Sequence, residues 1–573
     1  MASFGVTSSA LAGSTPAPLG WLKAPAIGPL VDDSGPLLAQ TSAAPDGSTL
    51  VIYADSPAAA PTDGSGFRRL RMFRALPNGR VTAPTIVSNG AGDAGDSQVV
   101  QLANGSGAII YTEKTGSGSN RVVKLRRFDT AFRLQGTPAV LSDPTKDAEA
   151  PSMGLAPDGT ATAGWTYPAV RVGAIVRVSP SGDAIPYASC AATAAEITAG
   201  STLDACSSMQ VVTAPSGAST VLWREGITAA GGGYSRIVRR WISPGDISLP
   251  ESRDEISVSP GFQVGGPVLK LGSDGAALAV WRINRCPAPL APCLENRFEA
   301  RRLPANGDKG TRTALTETTS TFGTADRSAP VIGSDAKGGY LVTWVDSPSV
   351  KGPAGSSVKY RRVSKKGTPT GTAKTVGYSP TPSSAAIVSS TVLFTGSDAQ
   401  LLWLTDSPQL NYVTVPTSDL VGRSVLVPGS AATAATAVTA AIAPALALSS
   451  DGTFSATWFG GAKGAARIRT QFVVTAPKAS SLKFLAKVKG GDKSAKLSFK
   501  ASKLGSATVL IAPTSPKLKV AKRLTKVRAV KPGTNSVSFD TRGIKRGIYQ
   551  VTVSFTDLAG LTDKTSAKLI VLR

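Results

Sequence analysis

Few side chains in this chain are of a type and spacing that could do chemistry, and they fall into three sets. The first is a series of acids, Asp55, Asp63, Glu113, Glu225 and Asp346, each just beyond a run of apolar residues, with Arg224 and Arg282 directly after Trp223 and Trp281. Acids on such loops could line one rim, where cleavage of a glycosidic bond would need two carboxylates roughly 5 to 9 Å apart, and the arginines could hold an acidic substrate. A solvated loop is the preferred reading of the two arginines, and no residue is assigned a catalytic role. The second set is Lys517, Lys519, Lys522, Arg523, Lys526, Arg528 and Lys531, a run without a single acid. These would dock on phosphates or carboxylates, with binding that weakens steeply as salt rises. Equally, they could form a charged strand edge that resists aggregation. No aromatic interrupts the run, so base stacking is unsupported and nucleic acid is not the expected partner.

The third set is four cysteines in two local pairs, Cys190 with Cys206 and Cys286 with Cys293. Neither spacing suits zinc, and an even count in Gly- and Pro-rich loops suits disulfides formed in an oxidising compartment. Each closed loop is worth about 2 to 3 kcal/mol on a chain-entropy account. The chain has no histidine, which removes Ser-His-Asp and Cys-His catalysis and His-ligated metals. No P-loop or calcium loop is present, and no cofactor or metal is expected.

The elements that must position these residues repeat. An aromatic recurs at Tyr53, Tyr111, Trp165, Trp223, Trp281, Trp344, Trp403 and Trp458, and six residues before each stands Gly47, Gly105, Gly159, Gly217, Gly275, Gly338, Ser397 or Gly452. Most of these glycines follow Asp or Asn, a hairpin signal because a tight turn needs positive φ. Each repeat therefore opens with two paired strands, as in 151–156 and 160–165. A third strand of alternating apolar and basic residues follows, as in 174–178 and 358–363, its basic side chains facing outward or sideways. A second Pro/Gly turn then leads to a short fourth strand. Four antiparallel strands per repeat make a propeller blade. The expected fold is all-β: an eight-bladed β-propeller over residues 21–477, seven blades being the alternative because the seventh repeat is degenerate. The last repeat lacks its fourth strand, and residues 25–31 resemble one, so the N-terminal segment is expected to complete the last blade and close the ring. The blade tryptophans are expected in the inter-blade core rather than on a sugar-binding platform.

The Pro-Asp-Gly or Ser-Asp-Gly turn leading to an apolar strand with an aromatic end resembles the TolB-type repeat of bacterial secreted and periplasmic β-propellers, over roughly residues 20–476. That resemblance implies a binding platform more than catalysis. The repeat departs from the sialidase Asp-box and from the Trp-docking motif of quinoprotein dehydrogenases, so neither activity carries over.

Charge divides the chain further. The formal net charge is +25, yet residues 478–573 hold 21 Lys and Arg against four Asp and so carry +17. Five strand candidates, 495–499, 507–511, 536–539, 549–555 and 567–572, predict a small basic β-sandwich there. The stretch Gly547 to Val553 followed by Asp557 to Gly560 resembles the Ig-like modules that end many bacterial exported proteins, which implies a spacer or attachment role. Residues 1–20 read as a flexible N-terminus or signal-peptide remnant. There is no transmembrane segment.

The expectation is a secreted or cell-surface monomer without enzymatic activity. Its propeller would recognise protein or glycan, and its basic module would attach to an anionic envelope polymer. The alternative is a carbohydrate-active enzyme, hydrolase or lyase, working at the mouth of the propeller channel.

Overall fold

The computed structural model describes residues 20–21, 26–30, 40–54, 67–88, 92–114, 120–187, 190, 201–228, 233–245, 253–257, 263–285, 295–316, 326–347, 355–379, 387–395, 397–405, 410–419, 421, 425–427, 444–449, 453–460, 467–474, 477–484, 488–489, 494–515, 523–542 and 544–572. The chain is nearly all β and divides into two compact units, residues 24–471 and residues 472–573 together with 1–23.

Among the described residues of the larger unit, eight antiparallel sheets follow one another along the chain. The second sheet shows the pattern: Ala94–Gln101, Gly107–Lys114, Arg121–Phe128 and Leu134–Val140 pair in sequence order. The hairpin between its first two strands turns at Gly105, whose φ of 93° favours glycine, and the predicted turn glycines 47, 159, 217, 275 and 338 share that conformation. Where Ser397 replaces glycine, Ile387–Thr395 and Asp398–Thr405 still pair, so the degenerate repeat forms its four-stranded sheet.

The first strand of every sheet packs against the first strand of the next, and the first strand of the eighth packs against that of the first. This closed inner ring defines a β-propeller. Polar side chains bind neighbouring first strands together: Ser42 donates to Gln101 Oε1 at 2.8 Å, Met153 N to Gln98 Oε1 at 2.6 Å, and Val211 N to Ser152 Oγ at 2.9 Å. The last-to-first junction carries Ser449 Oγ to the Ala44 carbonyl at 2.7 Å and a Thr49–Ser455 hydroxyl pair at 2.6 Å. Ala26–Leu30 runs antiparallel to Arg467–Val474, with Ala26 opposite Thr470 and Leu30 opposite Arg467.

The eight repeat aromatics are all buried, none more than 4% exposed. Trp165 lies in a cluster with Ala108, Ile110 and Val123 of the preceding sheet, and Trp223, Trp281, Trp344 and Trp403 pack backward in the same way. They are core residues, because one face of each second strand is pressed against its neighbour and only large apolar side chains fill that gap.

The smaller unit holds two sheets around one apolar core. Ala479–Phe484, Ser494–Ala501 and Gly533–Asp540 form one; Val488–Lys489, Thr562–Leu572, Gly547–Asp557, Gly505–Pro513 and Arg523–Val530 form the other. Leu497 and Phe499 from the first meet Val509, Val551, Val553 and Phe555 from the second. All five strand candidates read from the sequence fall within these strands. The pairing of Val488–Lys489 with Thr562–Leu572 is parallel, and had no sequence signal.

Candidate functional site

The acids read as a loop rim are placed differently by the structure. Glu113, Glu225 and Asp346 lie inside second strands, which run on past the aromatic, and all three are buried. Two residues beyond the aromatic is the same face of a strand, so each carboxylate lies beside the ring in the gap between sheets. Trp223 Nε1 donates to Glu225 at 2.8 Å and Trp344 Nε1 to Asp346 at 2.9 Å. A cation from the third strand completes each group: Lys124 on Glu113 at 2.5 Å, Arg236 on Glu225 at 2.9 Å, Lys359 on Asp346 at 2.6 Å. In the fifth sheet the carboxylate comes from the third strand instead, where Glu299 stands opposite Trp281 and pairs with Arg297 at 2.8 Å. These groups belong to the packing between sheets and do not converge. Asp55 and Asp63 lie outside the described residues.

Arg224 donates to the Val264 carbonyl at 2.6 Å, and burial lowers its pKa; Arg282 donates to Asn284 at 3.1 Å.

The structure also assigns roles to third-strand arginines that sequence reasoning left facing outward or sideways. Arg126 donates back to the carbonyl of Val87 in the preceding repeat at 2.5 Å, while Arg127 donates forward to Gly159 and Ser179 of the following one at 2.6 and 2.9 Å. Arg361 reaches back to Leu315 at 2.5 Å, and Arg362 reaches forward to Val415 and Pro416 at 3.0 and 2.8 Å and to Asp419 at 2.8 Å. Arg301 reaches back to Ile256 at 2.8 Å. Consecutive side chains on a strand point to opposite faces, so an Arg-Arg pair in the third strand grips both neighbours. The Arg-Arg dipeptides were the available signal.

Cys190 and Cys206 form a disulfide. It is buried, and it joins the segment after the third sheet to Thr202–Thr213, the first strand of the fourth. It therefore fastens two sheets together as well as closing a loop. Cys286 and Cys293 lie outside the described residues.

Of the basic run, Lys517, Lys519 and Lys522 lie outside the described residues. Arg523, Lys526 and Arg528 are on the strand Arg523–Val530, and Lys531 is exposed at its end.

Among the described residues, a cavity of about 710 Å³ lies within the inner ring. Its walls come from the first strands of six sheets and the turns that follow them, through residues such as Ser42, Gln101, Lys270, Ser334, Thr391 and Ala447. Small, apolar and hydroxyl-bearing side chains dominate it. Lys270 is the one charged residue among those lining it. Among the described residues, no group of three or more potential metal ligands occurs, and no helix is long and apolar enough to cross a membrane.

No protein-family model matches the chain, and no curated protein matches it. Solved structures similar to it include an α-L-arabinanase of Penicillium chrysogenum complexed with arabinobiose, at 10% identity over 79% of this chain and 98% of that one, TM-score 0.37. A polysaccharide lyase, Uly1, is 9% identical over 82% of this chain and 94% of that one, TM-score 0.39. One of two prolyl endopeptidases is 13% identical over 81% of this chain, TM-score 0.37; the match spans 54% of that chain.

Proposed function

We propose that the chain is a secreted or cell-surface binding scaffold, in which the propeller recognises protein or glycan and the basic C-terminal unit attaches to anionic envelope polymers. The observation that supports this is the unbalanced charge of the smaller unit. Its described acids are all engaged within the unit: Asp540 pairs with Arg542 at 2.9 Å, Asp557 with Lys503 at 3.9 Å, and Asp563 accepts the Ala479 N–H at 2.7 Å. Meanwhile Lys483, Lys496 and Lys500 stand exposed on the outward face of the three-stranded sheet, among Ser480, Ser536 and Ser538. These lysines have no ion-pair partner among the described residues. Lys517, Lys519, Lys522, Arg523, Lys526, Arg528 and Lys531 add to the same unit's excess and are proposed as its polymer-binding residues. A buried disulfide suits an oxidising compartment.

The test is binding of the full chain to a polyuronate and to a glycerol-phosphate polymer over a series of salt concentrations. Binding should weaken by orders of magnitude between about 50 and 200 mM salt, as counterion release requires, and changing the seven basic residues to Gln should flatten that dependence. Binding insensitive to salt, or unchanged in the variant, would refute the attachment role.

A second reading, a hydrolase or lyase acting on polysaccharide at the central channel, is favoured by a cavity large enough for sugar rings. Incubation with arabinan and with uronate polymers, followed by detection of new reducing ends or unsaturated products, tests it.

A further inference from the structure

The repeat exposes one side chain that its architecture does not need. Lys270 stands five residues before the turn glycine Gly275, on the first strand Val268–Leu271 of the fifth sheet. The corresponding residues of the other seven repeats are Ser42, Val100, Gly154, Val212, Gly333, Val392 and Ala447, so seven inner-ring strands pack with a small or apolar side chain here. A cation at this position does nothing for the ring that alanine or valine does not do.

Its surroundings make the charge costly. None of the other nineteen lining residues of the cavity, from Thr41 through Ser449, is titratable, and Lys270 has no hydrogen-bond or ion-pair partner among the described residues. It is accessible to solvent, yet protein surrounds it closely enough that desolvation lowers its pKa below the usual lysine value. Both hold for an exposed side chain on the wall of a wide, partly open cavity. An unpaired ammonium in such a space is held at a free-energy cost that a bound anion would remove. The space, about 710 Å³, lies within the range of small-molecule sites, and Ser334 and Thr391 supply wall hydroxyls for the uncharged part of a ligand.

We propose that the cavity inside the inner ring is a binding site for a small polar molecule carrying one carboxylate or phosphate group, with Lys270 as the residue that holds the anion. The site is separate from the polymer-binding surface of the smaller unit and would stand if that role failed.

The experiment is calorimetric titration of the full chain with glucuronate, glucose 6-phosphate and, as the neutral control, glucose. At neutral pH one or both acids should saturate a single site while glucose does not, and the arm that responds names the anion. Lys270→Met should weaken binding at least tenfold, Lys270→Arg should retain it, and a Lys496→Gln, Lys500→Gln double variant should bind as the parent does. Affinity should also fall as pH rises through the lowered pKa of Lys270, because the bound state requires the charged amine. Failure of both acids to saturate, or equal affinity in Lys270→Met, overturns the proposal. Lys270→Gln provides the same comparison if Lys270→Met does not fold.

Discussion

At the scale of single residues, the recurring motif is an aromatic, an acid two positions on, and a cation from the next strand. Glu225 is fully buried, receives the Trp223 indole N–H and neutralises Arg236. Removing it leaves the indole donor without its acceptor and takes from Arg236 the nearer of its two carboxylates, Glu255 standing at 3.7 Å. Glu225→Ala should therefore cost about 3 to 5 kcal/mol, read by chemical denaturation, whereas exposed Lys496→Gln should change stability little. The buried tyrosines set a second expectation. Burial raises the pKa of Tyr111, Tyr340 and Tyr412, and pushes Tyr360 up to about 12. The unfolded chain ionises these phenols near pH 10 while the folded chain keeps them neutral, so stability should fall steadily from about pH 10 upward. Tyr360→Phe should make that fall shallower in denaturation curves measured between pH 9 and 12. The aromatic positions were legible in the sequence because eight of them keep one offset from a turn. The acids were not. Whether a strand stops at the aromatic or runs two residues further depends on pairing with the third strand, which a sequence of alternating residues does not mark.

At the scale of elements, hairpin turns and strand order could be read because glycine at positive φ and a two-residue period are local properties. The role of the third strand could not, since it depends on which sheet lies on either side. Its arginines donate mainly to backbone carbonyls of neighbouring repeats, contacts that leave no trace in residue type at the accepting end. Arg361 and Arg362 hold opposite neighbours. Arg361→Ala and Arg362→Ala should each destabilise by about 1.5 to 3 kcal/mol, as charge-assisted bonds do. Their effects in the double variant should be close to additive, because the carbonyls they hold across the sheet gaps belong to opposite neighbours; thermal unfolding of the three variants measures this. Reducing the Cys190–Cys206 bond should cost about 3 kcal/mol for a loop of its length. A lower unfolding midpoint in reductant, absent in Cys206→Ser, is the check.

At the scale of the whole molecule, charge and closure are the two features that matter. The net charge of +25 is concentrated in the last sixth of the sequence, and that division was visible from composition alone. The cavity was not, because it is lined by residues scattered from Thr41 to Ser449. Closure was legible from a missing fourth strand and a spare one at the other end. A chain lacking residues 1–30 should expose the edge of Arg467–Val474, and light scattering should report its self-association.

The same pairing has a temporal side. Ala26 leaves the ribosome more than four hundred residues before its partner Thr470 exists, which at a synthesis rate of roughly 5 to 20 residues per second is about 20 to 90 seconds. Throughout that interval the outermost strand of the final sheet is an orphan, ready to pair with any open edge, including that of a second nascent copy. Sheets one to seven can assemble from their own contiguous stretches as they emerge, but the ring is sealed by its earliest-made strand meeting its latest.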